Sequence, residues 1–130
     1  MPHGEREIPA DDVLGLYRAA GWWPERTAEQ VRAVLRASPA VGAWQGRELI
    51  GFARAVTDGL LRAYVEDVVV SPDWRGRGVG HALLASLMEQ LGPVPVVTLF
   101  CSPDLASYYE ASSFRASRQV VMHWARPPAG

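Results

Sequence analysis

The sequence contains no lysine and no asparagine; all thirteen basic residues are arginine, set against fourteen acidic ones for a net charge of −1. The missing lysine excludes a Schiff-base enzyme, which needs a lysine amine. It also excludes a Walker-type phosphate loop and a protein kinase, which needs a strand lysine. The missing asparagine removes a Cys-His-Asn triad and the acceptor for N-glycosylation. Cys101 stands alone and cannot form an internal disulfide, which makes the cytoplasm the default location. No apolar run approaches the roughly 20 residues of a membrane span. The start, Met-Pro-His-Gly-Glu-Arg-Glu, is too polar for a signal peptide. Charge this close to neutral argues against a general nucleic-acid binder. His3 and His123 lack metal-ligand spacing with Cys101 or a carboxylate pair, so no metal is expected.

What is present suits one domain over residues 1–130, with a 48% apolar fraction able to supply a core. The five tryptophans suggest large rings packed in that core or lining a pocket. Asp11 or Asp12 can cap a helix carrying Val13, Leu14, Leu16 and Tyr17, stopped by Gly21. Thr27 and Gln30 have capping-box spacing and open a second helix, ending near Ser38-Pro39. Val41–Trp44, Leu49–Thr57 and Leu61–Val70 read as strands, with Asp58-Gly59 a hairpin signal. Val79, Leu83, Leu84, Leu87, Met88 and Leu91 form a one-sided helical stripe, ended by Gly92-Pro93. Val94–Cys101 reads as a short buried strand. Asp104 can cap a brief helix through Ala111, and Phe114–Trp124 reads as one or two final strands. The tail Arg126–Gly130 reads as a chain end. The sum is an α/β chain: a mixed sheet with about four helices and a right-handed crossover after Val70.

The segment richest in chemistry runs from Asp67 through Val68, Val69, Val70 and Ser71-Pro72-Asp73-Trp74 to Arg75-Gly76-Arg77-Gly78-Val79-Gly80-His81. It is an apolar strand, a glycine-rich loop and a helix start. Glycines let a backbone bend tightly and approach a ligand, and helix-start N–H groups attract anions. Arg75 and Arg77 add cations, so the natural ligand is a phosphate or pyrophosphate. The dinucleotide pattern G-x-G-x-x-G/A fails, because its last position falls on His81 or Leu83.

Arg-x-x-Gly-x-Gly does fit, from Arg75 through Gly78 to Gly80. In its strand–loop–helix context this resembles the signature of the GNAT superfamily, the Gcn5-related N-acetyltransferases. Tyr108-Tyr109-Glu110-Ala-Ser-Ser113-Phe114 resembles that family's late aromatic-Tyr-x-x-x-Gly-Phe block. Gly21-Trp22, Leu49–Arg54, Asp58, Asp67-Val68, Leu99-Phe100 and Met122–Trp124 are similar to the short plant and cyanobacterial serotonin (arylalkylamine) N-acetyltransferase-like branch. Two residues depart from the pattern: Ser113 replaces a usual glycine, and Ser102 replaces a frequent Asn or Asp.

The resemblance implies a GNAT fold with a V-shaped splay between the strand ending at Val70 and the strand ending near Cys101. Acetyl-CoA would lie there with its pyrophosphate on the amides from Arg75 to His81. Its pantetheine arm would pair with the backbone of Val68–Val70 like an added strand, and Ser102 would lie near that arm or the reacting amine. Glu66 and Asp67 are the candidate bases for the incoming amine. A regular strand turns adjacent side chains to opposite faces, but a bulge disturbs that strand in many relatives. Tyr109 is the candidate acid for the departing thiol. Trp22, Trp23 and Tyr17 are candidate walls for the acceptor. The leading expectation is N-acetylation of a small primary amine. The alternatives are a protein or peptide N-terminus as acceptor, or an acyl-CoA-binding sensor without turnover. Folds of this type often dimerise, and Val120–Trp124 is a candidate edge strand for it.

Overall fold

Residues 1–128 are described by a computed structural model; Ala129 and Gly130, which close the tail read above as a chain end, lie outside the described residues. The chain separates into two compact parts, Met1–Phe100 and the part from Cys101 onward. In the first part, α1 (Ala10–Ala20) buries Val13, Leu14, Leu16 and Tyr17 along one face. Gly21 ends it at φ +75°, a conformation glycine takes without steric cost. The start differs from expectation. Pro9 holds the cap position and no side chain caps it, so Asp11 and Asp12 fall in the first turn, where they act on the helix dipole. Thr27 opens α2 (Ala28–Ala37) with both bonds of the capping box in place.

Strands β1 (Ala40–Gln45), β2 (Glu48–Thr57) and β3 (Arg62–Val70) form an antiparallel meander. The Asp58 carboxylate pins the β2–β3 turn by accepting from the N–H groups of Leu60, Leu61 and Arg62. Helix α3 (Val79–Leu91) then crosses over to β4 (Val96–Leu99), which lies parallel to β3 in the order β1-β2-β3-β4. One sheet face carries α1 and α2 over a core that includes Ile8, Val13, Leu14, Tyr17, Phe52 and Val69. Burying side chains of this size contributes about 1.5–3 kcal/mol each. The other face carries α3. At Gly51 a Cβ would stand 2.9 Å from Leu83 and 3.0 Å from Val79, so the bare glycine lets α3 lie close on β2.

Two details of this sheet shape one end of it. Arg54 pairs with Asp67 while Ala55 pairs with Val65, so Glu66 is the extra residue of a bulge. The β3–β4 pairing stops at Val65 opposite Leu99. Glu66–Val70 therefore has no strand on that side among the described residues, which opens the splay. Strand β4 is shorter and less buried than the sequence suggests, its residues alternating exposed and half-buried. Pro95 stands at its entrance and has no N–H for the ladder.

The second part has a 3₁₀ turn at Pro103–Leu105 and a short helix α4 (Ala106–Glu110). Asp104 lies inside the turn and makes no side-chain cap. The helix ends in a paired motif: Phe114 N–H donates to Tyr109 and Ser113 N–H to Glu110. Ser113 sits at φ +71°, so the turn keeps the glycine geometry without the glycine. A left-handed residue with a Cβ costs about 1–2 kcal/mol. Ser113→Gly is therefore expected to raise stability by roughly 1 kcal/mol, read as a higher melting temperature.

One expectation fails. Phe114–Trp124 forms no strand among the described residues, and Val120, Met122 and Trp124 are exposed. An alternating apolar pattern makes a strand only where a second strand completes the hydrogen-bond ladder; none pairs with it here. Trp44 is half-buried against the core, as the composition suggests, but no tryptophan is fully buried. Instead, four of the five carry an arginine guanidinium on the ring: Arg6 on Trp44, Arg26 on Trp23, Arg77 on Trp74 and Arg126 on Trp124, at 4.2–4.9 Å. The all-arginine composition suits this, because a planar guanidinium stacks on rings better than a compact ammonium does.

Candidate functional site

The glycine-rich loop leaves the end of β3 through a 3₁₀ turn at Pro72–Trp74. Gly76 and Gly78 then take φ of +76° and +81°, a region other residues enter only under strain. Gly78 is the N-cap of α3, and the first turn of that helix carries no acidic residue. The first bond into the helix comes from the Ala82 N–H to the Gly78 carbonyl. The amides of Val79 and Gly80 precede that bond and, by helix geometry, have no partner within it. Their N–H groups and the positive end of the dipole make a seat for an anion. Arg75 is exposed on its rim, and the Arg77 guanidinium lies 4.8 Å from the Trp74 ring.

Beside this seat, the open edge of β3 offers backbone groups. Ser71 N–H donates to the Ile50 carbonyl at 2.7 Å. Strand alternation then turns the Val69 backbone toward β2 and the N–H and C=O groups of Val68 and Val70 toward the splay. The Val69 side chain is buried in the core, while Val68 and Val70 are half-buried.

The two candidate bases sit in one ionic cluster. Asp67 is 1% exposed, and its Oδ2 accepts from the Tyr17 hydroxyl (2.8 Å), Arg26 (3.0 Å) and Arg54 (2.9 Å). Its Oδ1 is buried with no partner. Glu66 Oε1 accepts from Arg26 at 3.1 Å and lies 4.0 Å from Arg54. Tyr64 lies close enough for Glu66 to raise its phenol. With 18% of its side chain exposed, Glu66 is the carboxylate that an incoming molecule can reach. The bulge places both acids within reach of the same guanidinium. The sequence reading did not single out Arg26, Arg54 or Tyr64. Arg26 lies 41 residues from Asp67, and only the bulged register could have paired them in advance.

Of the proposed wall residues, Tyr17 is core, with its hydroxyl on Asp67. Trp22 and Trp23 are 38% and 39% exposed, and the Trp23 ring lies 4.2 Å from Arg26. In the second part, Tyr109 is half-buried, with its ring packed edge-on against Tyr108 and Phe114. Burial, then Tyr108 and Cys101, hold its phenol above the usual range, so at neutral pH it keeps its proton and can donate it. Ser102 is exposed at the start of the Pro103–Leu105 turn.

Two phenols in the first part also resist ionisation. Burial, then the nearby Glu66, pushes Tyr64 up to about 12. Burial, then the charge of Asp67, raises Tyr17 further. The folded values lie above the unfolded value near 10, so this stability is complete below about pH 10 and is lost as pH rises through the folded values. Melting temperature is expected to fall from about pH 10 upward, and less steeply in Tyr17→Phe.

A sequence profile of the acetyltransferase (GNAT) family matches residues 10–110. The chain is similar to an uncharacterized N-acetyltransferase, ycf52, of Pyropia yezoensis: 32% identity over 99 residues, covering 71% of this chain and 57% of the relative. It thus spans a little over half the length of that relative. A putative acetyltransferase from Deinococcus radiodurans superposes with a TM-score of 0.78 at 26% identity, over 95% of this chain and 85% of the other. The aminoglycoside N-acetyltransferase AAC(6')-Iy in complex with CoA shares the fold, with a TM-score of 0.69 at 20% identity over 91% and 89%.

Proposed function

This chain belongs to the acetyltransferase (GNAT) family, and we propose that it transfers the acetyl group of acetyl-CoA to the primary amine of a small molecule with an aromatic or apolar body. The observation that carries the reading is the anion seat at the start of α3, set beside an open β3 edge. Residues in that geometry fit a long ligand with a pyrophosphate at one end and an amide-bearing arm. When bound, acetyl-CoA supplies the acetyl group as an activated thioester. The chain does the rest. The amides of Val79 and Gly80, with Arg75 and Arg77, fix the phosphates. The N–H and C=O groups of Val68 and Val70 hold the arm in extended form and offer a donor to a carbonyl oxygen. Holding both reactants in place is worth several kcal/mol of barrier.

Glu66 takes the proton that the acceptor ammonium must lose, directly or through water. Its partial exposure supports that role over Asp67, whose Oδ2 is already held by three donors. Tyr109, protonated at neutral pH, has the chemistry to return a proton to a departing sulfur. Exposed Trp22 and Trp23, on the connection that also bears Arg26, favour a ring or hydrocarbon on the acceptor, as in an arylalkylamine. Removing only the Tyr109 hydroxyl, in Tyr109→Phe, is expected to lower kcat by roughly 100-fold and to change acetyl-CoA affinity less than about twofold. Steady-state kinetics beside calorimetric binding separates the two effects. Equal loss of both, or loss of neither, would remove Tyr109 from the mechanism.

A further inference from the structure

Adjacent residues of a strand point to opposite faces, yet here a single side chain grips two of them. Arg26 donates through one terminal nitrogen to Asp67 at 3.0 Å and through the other to Glu66 at 3.1 Å. Arg26 belongs to neither the sheet nor a helix; it lies in the connection between α1 and α2. The bulge at Glu66 makes the double grip possible by bringing both carboxylates within one guanidinium span. The Arg26 guanidinium lies 4.2 Å from the Trp23 ring and 5.4 Å from the Tyr17 ring, and the Arg26 backbone N–H donates to the Trp23 carbonyl at 3.1 Å.

Trp23 itself sits at φ +50°, where bulky residues are rarely found. Such a conformation persists only when its surroundings over-determine it. The ion pairs and the ring stacking of Arg26 supply that constraint. Asp67 is the fixed end of the arrangement, buried and held a second time by Arg54. Glu66 is the adjustable end, partly exposed.

We infer that Arg26 is a positioning residue that latches the α1–α2 connection onto the β3 bulge and so sets the direction of the Glu66 carboxylate toward the acceptor. The inference rests on the proposed function for the identity of the acceptor, but the latch itself can be read without any activity. A planar fork is what the geometry uses, because a lysine ammonium is a single point and can serve only one of the two carboxylates at full strength.

The test compares the wild-type chain with Arg26→Ala and Arg26→Lys. Hydrogen–deuterium exchange over residues 21–28 reads the latch. Acetyl-CoA binding and acceptor kcat/KM read the positioning. Faster exchange in both variants is expected, with acceptor kcat/KM reduced roughly 10–100-fold and acetyl-CoA affinity unchanged within about twofold. Added guanidinium ion is expected to restore part of kcat in Arg26→Ala, which a general loss of folding would not allow. Should Arg26→Ala fail to fold, Arg26→Lys, which keeps the charge and the stem, carries the same comparison. Unchanged exchange would overturn the latch. Faster exchange with unaltered acceptor kinetics would overturn the positioning role. A wild-type chain that acetylates no amine would overturn the proposed function and with it the positioning role, while the exchange result would still decide the latch.

Discussion

Replacing Asp67 with alanine is expected to destabilise the fold by about 3–5 kcal/mol, the cost of breaking a buried ion pair from one side. Three donors converge on one carboxylate oxygen: the Tyr17 hydroxyl, Arg26 and Arg54. Without it, Tyr17 is left with its hydroxyl beneath the surface. Arg54, only 10% exposed in its side chain, keeps its charge with Glu66 at 4.0 Å as the remaining partner. Arg26 suffers less, because it is 21% exposed and retains Glu66 at 3.1 Å. In a chain this size the loss corresponds to a fall in melting temperature on the order of 10–20 °C. Asp67→Asn keeps the shape and an acceptor oxygen but removes the charge, and is expected to lie between wild type and Asp67→Ala. Urea denaturation of the three proteins checks the order. A change below about 1 kcal/mol in Asp67→Ala would mean that the cluster contributes little to stability.

The second large effect is on binding. Gly78→Asp is expected to weaken CoA binding on the order of 100-fold, equivalent to about 2.7 kcal/mol, while leaving the fold nearly as stable. Gly78 is the N-cap of α3 at φ +81°. Aspartate tolerates that region better than most residues, and its carboxylate interacts favourably with the helix dipole, so the net cost to the fold stays within about 1 kcal/mol. The same carboxylate would take the amides that serve the anion and repel a phosphate brought near it. Gly78→Ala supplies the strain without the charge and is expected to lose about tenfold or less. Calorimetric titration with CoA reads both variants. Parallel losses in the two would assign the effect to backbone strain and remove the argument for an anion seat.

Much of this architecture is local and could be read along the chain. The Thr27–Gln30 box, the Asp58-Gly59 turn, the stops at Gly21 and Gly92 and the stripe of α3 each depend on residues within a few positions of one another. The loop from Arg75 to Gly80 belongs to the same class, since two left-handed glycines and an uncapped helix start are written in consecutive residues. The carboxylate cluster is not local. Arg26 reaches β3 across 40 and 41 residues, and its double grip depends on a bulge that strand register decides. Trp44 packs against the core as its ring area suggests, while the rings of Trp23, Trp74 and Trp124 meet guanidinium faces that no local pattern announces. The Phe114–Trp124 pattern shows the limit of periodicity, for alternation describes one strand and a ladder takes two.

The missing lysines leave these arrangements intact. Arginine forks hold the carboxylates, and the proposed phosphate seat needs only backbone amides and arginine. Acetyl transfer itself is the direct measurement of the proposed activity. The purified chain with acetyl-CoA is offered a panel of arylalkylamines, aliphatic amines and short peptides. Thiol release and acetylated product are then quantified together. Equal amounts of CoA thiol and N-acetylated product are expected with at least one small primary amine bearing a ring or hydrocarbon body, with loss of both in Gly78→Asp. Tight CoA binding with no product from any amine would contradict the proposed activity, and would leave a protein that binds the cofactor without using it.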